Sequence, residues 1–387
     1  MNWIPYFTLA FIAVVASGTC AAVIERTTLF REGEGAYNNY RIPAAVRTPQ
    51  NTILAFCEGR HTPHGEGNDT GEINLILRRS TDGGKTFSPP QVVWADGKNT
   101  CGNPCPVVDQ TTGTIWLLAT HNLGEDHEKE IIAGRSKGTR TVWVTHSDDD
   151  GVTWAKPREI TSVVKKAGWA WYATGPGNGI QIKQGPHAGR LVVPCDFIAK
   201  PGVSDRASSL AIYSDDHGAT WNAGQPVKPA RFNESQIVEL DGGRLLLNMR
   251  NHPIADQKEY FRGVAISQDG GETFGEAHFD SALVEPRCQA SILRYRDRIL
   301  FANPASPTTR TTLTVRVSDD EATSWPIAKR IFDGLSGYSS LVDLPDGSIG
   351  LLYEAGDHER YERIDFARFD LDWLTDGQSE VKEDSAR

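Results

Sequence analysis

Short apolar runs recur along the chain, separated by clusters of Gly, Asp, Ser, Thr and Pro. Ile53-Leu54-Ala55-Phe56, Leu75-Ile76-Leu77, Val142-Trp143-Val144, Leu210-Ala211-Ile212-Tyr213, Leu245-Leu246-Leu247, Val264-Ala265-Ile266, Leu313-Thr314-Val315 and Leu351-Leu352-Tyr353 are of this kind. Runs this short, rich in β-branched and aromatic residues and bounded by turn formers, predict β-strands. Five of them lead into one repeated phrase, Ser-x-Asp-x-Gly-x-Thr-Trp/Phe. It runs from Ser80 to Phe87, Ser147 to Trp154, Ser214 to Trp221 and Ser267 to Phe274, and a worn copy from Ser318 to Trp325 has Ala322 for Gly and Ser324 for Thr. The Asp can hydrogen-bond backbone two residues on, the Gly supplies a positive φ, and the aromatic returns the chain to a strand, so each copy predicts a hairpin turn.

The copies start 67, 67, 53 and 51 residues apart. A supersecondary unit recurring at such a period indicates a propeller, a solenoid or an array, and short antiparallel strands favour a β-propeller of four-stranded blades. A 387-residue chain with ten Trp and 39% apolar residues can fill one large core of this kind. The net charge of −10 and pI near 5.5 argue against nucleic acid as a partner.

Residues 1–22 stand apart. Trp3 to Ser17 is largely apolar without an acidic residue, and Gly18-Thr19-Cys20-Ala21-Ala22 follows. This resembles a secretory signal with a small-residue cleavage region. It predicts an exported or periplasmic protein whose mature chain begins between Thr19 and Ile24, or, if the leader is left uncleaved, an amino-terminal anchor. Beyond it remain Cys57, Cys101, Cys105, Cys195 and Cys288, an odd number at irregular spacing and not a disulfide framework. Cys101 and Cys105 lack partners for a zinc site. No metal cluster or nucleotide-binding loop is visible, so no cofactor is expected.

Candidate chemistry follows in chain order. Tyr40-Arg41-Ile42-Pro43 precedes a strand that ends near Glu58 and Arg60, and a Gly/His-rich loop from His61 to Gly71 carries Glu66 and Asp69, with Glu72 next. Asn103-Pro104-Cys105-Pro106 and Trp171-Tyr172-Ala173-Thr174-Gly175-Pro176-Gly177 flank a polar and charged stretch, 122–140, read as a long inter-strand loop and a candidate pocket rim. Phe232-Asn233-Glu234-Ser235-Gln236 precedes a strand ending in Arg250; later come Asn303 to Arg310, Gly337-Tyr338-Ser339-Ser340 and Leu351-Leu352-Tyr353-Glu354-Ala355.

The repeated phrase resembles the Asp box of sialidases, and the other segments resemble that family's motifs in their usual order, from Arg41 to Glu354. The resemblance implies an all-β fold, a six-bladed β-propeller of four-stranded antiparallel blades over residues 23–375, followed by a polar tail, 376–387. It gives the Asp boxes a structural role away from the active site. It implies substrate-binding arginines at Arg41, Arg250 and Arg310, although Arg294, Arg296 and Arg316 compete for the third place. It implies catalytic Asp69, Glu234 and Tyr338, with Glu58 orienting Arg41 and Glu354 able to pair with it. The segments around Asn103 and Trp171 would border the bound sugar. Glu239 is a competitor for the role of Glu234.

These residue types suit one reaction. Three converging arginines repel one another unless an anion sits among them, and guanidinium forks match carboxylate oxygens. A sialic acid carries its carboxylate on the carbon being attacked, where an anionic nucleophile would be repelled. A neutral tyrosine avoids this but needs a base, and tyrosine nucleophiles in sialidases are a known exception to the two-carboxylate pattern of glycosidases. Glu234 would serve Tyr338 as base, while Asp69 would protonate the leaving oxygen and then deprotonate water. The expected activity is exo-α-sialidase hydrolysis with retention, acting on sialylated glycans, glycoproteins or glycolipids. The alternatives are a trans-sialidase, a hydrolase of deaminated sialic acid, and a sialic-acid-binding propeller without catalysis.

Overall fold

Each apolar run is a strand, and the hydrogen-bonded ladders gather these strands into consecutive antiparallel sets of four, with five in the third and one parallel bridge, Ile73 to Thr100, between the first and second. The computed structural model describes residues 24–62, 69–203, 207–252 and 259–376. The expected leader over 1–22, Glu66 and residues 377–387 of the tail lie outside the described residues. The first set contains Asn39–Arg47, Ile53–Arg60, Ile73–Ser80 and Gln91–Trp94; the second Thr100–Val108, Ile115–Asn122, Thr141–Ser147 and Arg158–Glu159. In the third, Trp169–Thr174 and Ile180–Gln181 both pair with Leu191–Ala199, which is followed by Ala207–Ser214 and Asn222–Ala223. The fourth contains Phe232–Glu239, Leu245–Asn251, Phe261–Ser267 and His278–Val284. The long strand Ile327–Asp343 ends the fifth set, after Ser291–Tyr295, Arg298–Pro304 and Thr311–Ser318. Its second half opens the sixth, followed by Ile349–Gly356 and Arg363–Phe369. Glu25–Arg31, from the start of the chain, pairs with Arg363–Phe369 as the sixth set's outermost strand.

The repeated phrase joins the third and fourth strands of the first five sets. Internal hydrogen bonds give it its shape: in Ser147–Trp154, the Ser147 hydroxyl and the Thr153 N–H donate to Asp149 Oδ1 at 2.8 Å each, while the Gly151 N–H donates to Ser147 Oγ at 2.9 Å. The same geometry recurs at Asp82, Asp216, Asp269 and Asp320. The phrase also seals neighbouring sets. Gly218, at φ 90°, lies so close to Trp116 of the second set that an added Cβ would approach its ring to 2.1 Å. Trp154 meets Phe56 of the first set edge-on, with ring centroids 5.7 Å apart.

The core is a series of apolar layers between adjacent sets. One layer joins Leu118 and Val144 to Val193, Phe197 and Trp221; another joins Val192 and Ala211 to Ile237 and Leu247. All five described cysteines are buried and free. Among the described residues no helix is long and apolar enough to cross a membrane. The stretch 122–140 corrects one expectation, since it holds a short helix, Glu128–Ala133, that packs Ile131 against Ala170 and Trp171. A final helix, Leu371–Thr375, starts at Asp370, whose carboxylate accepts the Trp373 N–H at 2.6 Å.

Candidate active site

The first strands of the first, second, fourth and sixth sets do not run straight at their starting ends. Register shifts fall between Arg41 and Ala44, Gly102 and Cys105, Phe232 and Ser235, and Ser336 and Ser339. The residues inside these bulges are Ile42-Pro43, Asn103-Pro104, Asn233-Glu234 and Gly337-Tyr338. A bulge bends its strand and re-aims the local side chains. Here all four turn groups toward one cavity of about 710 Å³, which they line together with the last residues of the adjacent strands. Backbone strain collects at the same end, with Ile42 at φ 61° and Asn103 at φ 53°.

Arg41, Asp69, Glu234, Arg250, Arg310 and Tyr338 all line this cavity. Arg294, Arg296 and Arg316 do not, and neither does Glu239. That carboxylate lies at the far end of its strand, where it accepts the Lys183 and Gln184 N–H groups at 2.9 and 2.8 Å. Asn103 and Trp171 stand in the wall, as expected, while Tyr172 is buried in the core.

Tyr338 is the centre of the arrangement and only 6% exposed. Its hydroxyl donates a short hydrogen bond to Glu234 Oε1. Arg250 Nη1 donates to Glu234 Oε2 at 2.5 Å and to the Tyr338 oxygen at 3.1 Å. The guanidinium carbons of Arg41 and Arg310 lie 5.3 and 5.6 Å from the Tyr338 ring centroid, so three cations surround one phenol. Burial and the Glu234 carboxylate push the phenol pKa well above its ordinary value, against Arg250 and Arg310, and keep the hydroxyl protonated.

One fully buried carboxylate holds this end in shape. Glu354 accepts from Arg41 Nε at 2.7 Å, from the Ile42 N–H at 2.9 Å and from the Tyr338 N–H at 2.9 Å. Gly337 is required beside it, because an added Cβ would come within 2.1 Å of Glu354 Oε2. Glu354 therefore orients Arg41, and the expectation that Glu58 does so is corrected. Glu58 and Arg60 stand two apart on one strand and so share a face; Arg60 Nε donates to Glu58 Oε2 at 2.9 Å, and Glu58 Oε1 accepts the Asn103 N–H at 2.7 Å.

Arg60 in turn contacts Asp69, with Nη2 3.0 Å from Oδ1 and the Asp69 side chain 51% exposed. Burial pushes the Asp69 pKa up, but the guanidinium groups of Arg60, Arg41 and Arg140 outweigh it and hold the carboxyl below its ordinary value.

The sequence reading missed several wall residues. Glu128 comes from the short helix, and its pKa is raised by burial and by Asp69. Arg140 is buried with its guanidinium carbon 4.0 Å from the Trp171 ring centroid. Asp196 is 2% exposed, and its Oδ2 has no hydrogen-bond partner. Tyr361 accepts a hydrogen bond from Arg310 Nη1 at 2.7 Å and lies under Arg41. None stands in a repeated or spaced motif. Only the charged character of 122–140 pointed toward two of them.

Comparison with known proteins places these features in context. Residues 51–351 match the family model of a BNR repeat-like domain. The chain is 38% identical over 365 residues to a sialidase of Micromonospora viridifaciens, covering 88% of this chain and 53% of that protein. It is 33% identical to an exo-alpha-sialidase of Aspergillus fumigatus, covering 88% of this chain and 86% of that one. Among solved structures, the Hadza microbial sialidase Hz136 superposes with a TM-score of 0.78 at 30% identity, covering 90% of this chain and 69% of that one. The chain thus spans about half the length of the Micromonospora relative.

Proposed function

The chain belongs to the sialidase family, and on that premise we propose that it is an exo-α-sialidase. It releases terminal α-linked sialic acids from sialylated glycoconjugates with retention of configuration. The observation that carries this reading is the convergence of Arg41, Arg250 and Arg310 around the hydrogen-bonded pair Tyr338–Glu234. The guanidinium groups receive the sugar carboxylate, which sets the anomeric carbon over the Tyr338 oxygen. That oxygen attacks while its proton passes to Glu234, and Asp69 delivers a proton to the departing glycosidic oxygen. Water then attacks the same carbon, losing its proton to Asp69, as Tyr338 leaves and regains its proton from Glu234. Two inversions give retention.

The charge pattern supports this order of events. Asp69 is held ionised by guanidinium groups in the free protein. A carboxylate arriving among the same arginines cancels part of that field, so substrate binding itself raises the tendency of Asp69 to carry the proton it must donate.

We further propose that the six strand sets are the six blades of a β-propeller, with the site over its axis. Support comes from the innermost strands, which touch in cyclic order. Asn39–Arg47 meets Thr100–Val108, which meets Ile180–Gln181, then Phe232–Glu239, Ser291–Tyr295, Ile327–Asp343 and Asn39–Arg47 again. Export is proposed from residues 1–22, and amino-terminal sequencing of the protein secreted by its native host tests it; a retained Met1 overturns cleavage.

The activity is tested by incubating purified protein with 2,3- and 2,6-sialyllactose and measuring free sialic acid. No release from either, nor from a fluorogenic aryl sialoside, overturns the enzyme reading.

A further inference from the structure

One aromatic side chain ties two of the three arginines together. Tyr361 lies in a turn closed by Glu362, whose carboxylate accepts the N–H groups of Asp357, His358 and Glu359 at 3.0, 2.9 and 2.6 Å. Within the turn Tyr361 adopts φ 73°. Bulky side chains rarely occupy the left-handed region, and such strain persists only where the surroundings enforce it. The surroundings here are the arginines. The Arg41 guanidinium carbon lies 3.6 Å from the Tyr361 ring centroid, and the Tyr361 hydroxyl accepts a hydrogen bond from Arg310 Nη1 at 2.7 Å. A Cβ added to Gly337 would lie 3.0 Å from its Cε1. Arg41 is thus held at its edge by Glu354 and on its face by Tyr361, and Arg310 is held between Tyr361 and the Arg287 carbonyl, which accepts from Nη2 at 2.9 Å.

We propose that Tyr361 is a positioning residue for carboxylate recognition, fixing the spacing of Arg41 and Arg310 before the substrate arrives. The inference rests on the reading of the cavity as a sialoside site. Its chemical sense lies in the choice of a neutral clamp. A second carboxylate would also order the two guanidinium groups, but it would neutralise them and compete with the substrate's own carboxylate. An aromatic face and a phenol oxygen hold cations without cancelling their charge. Ordering the forks in advance removes a cost otherwise met at binding.

The test compares the parent with Tyr361→Phe and Tyr361→Gly. Three quantities are measured: steady-state kinetics on 2,3-sialyllactose, the Kd of 2-deoxy-2,3-didehydro-N-acetylneuraminic acid by calorimetry, and Tm. Phe keeps the ring and loses the bond to Arg310, so KM and Kd should both rise about tenfold with kcat within about twofold. Gly also loses the ring, so both constants should rise a further roughly threefold to tenfold. Its Tm should stay within about 3 °C of the parent, because glycine relieves the positive φ. KM and Kd unchanged in both variants, with an active parent, overturn the inference. So does a loss confined to kcat that tracks a falling Tm, the signature of a merely structural residue. A parent that neither hydrolyses sialyllactose nor binds the analogue overturns the sialoside reading and this inference with it.

Discussion

Asp69 and Tyr338 show how single neighbours set a side chain's chemistry. Asp69 owes its depressed pKa first to Arg60, against the opposing effect of burial. Replacing Arg60 by Gln removes that charge, so the carboxyl keeps its proton to higher pH. If protonated Asp69 is the acid for the leaving group, the alkaline fall in kcat/KM on sialyllactose should move to higher pH in Arg60→Gln. A shift to lower pH, or none in a variant that still melts like the parent, removes Asp69 from that role. Tyr338→Phe deletes one oxygen and should lower activity by several orders of magnitude with the fold intact, as loss of a covalent nucleophile does. A 2,3-difluorosialic acid probe should label Tyr338 in the parent, and peptide mapping reads the outcome; label on Glu234 would overturn the tyrosine route.

Two kinds of local device build the elements, and they differ in how openly the sequence announces them. The hydrogen bonds that shape each Asp-box turn, those of Ser147, Asp149, Gly151 and Thr153 in Ser147–Trp154, close within the phrase, whereas Asp148, Asp150 and Val152 accept from Thr114, Thr48, Thr52, Arg79 and Gln91 outside it. That is why one sequence pattern suffices to recognise them. Hydrogen bonds, that of the Thr153 hydroxyl first, hold the Asp149 pKa down to about 2 from an ordinary 3.8. A depressed carboxylate contributes stability that is present above its unfolded pKa and is lost as pH falls through the folded value. Asp149→Ala should therefore lower Tm by about 2–4 °C at pH 7. The gap to the parent should close between about pH 4 and pH 2, while kcat and KM stay unchanged, as thermal scans and kinetics across pH can check. The bulges are only half legible. Ile-Pro after Arg41, Asn-Pro at 103–104 and Gly337 each mark an irregular backbone, but nothing local says that all four bulges face one point.

At the level of the whole molecule, five phrases serve six strand sets. The phrase is a turn between third and fourth strands, and in the sixth set the fourth strand arrives from the beginning of the chain, so no turn is needed there. Glu25–Arg31 buries Leu29 and Phe30 beside Ile53, Leu352 and Phe366, linking the first set to the last. Each of those side chains contributes roughly 1.5–3 kcal/mol by burial. Deleting 25–31 also leaves Arg363–Phe369 as an unpaired edge, which invites association. The deletion should lower Tm by more than about 5 °C and increase light scattering on heating; a variant that melts and stays dispersed like the parent would show that this strand does not hold the first and last sets together.

What the sequence determined by itself was whatever is local: strand runs, turn chemistry, the repeat, and the recognisable segments that carry the cavity-lining Arg41, Asp69, Glu234, Arg250, Arg310 and Tyr338. Local patterns are legible because their hydrogen bonds and φ angles close within a few residues. Pairings across sets were not legible. Glu58 pairs with Arg60 instead of Arg41, since a strand neighbour on the same face reaches it first, while Glu354, more than three hundred positions away in sequence, reaches Arg41 from the adjacent set. Tyr361, Arg140, Glu128 and Asp196 acquire meaning only through what faces them across the cavity. A contact made in space carries no spacing in the chain, so only the tertiary structure could decide it.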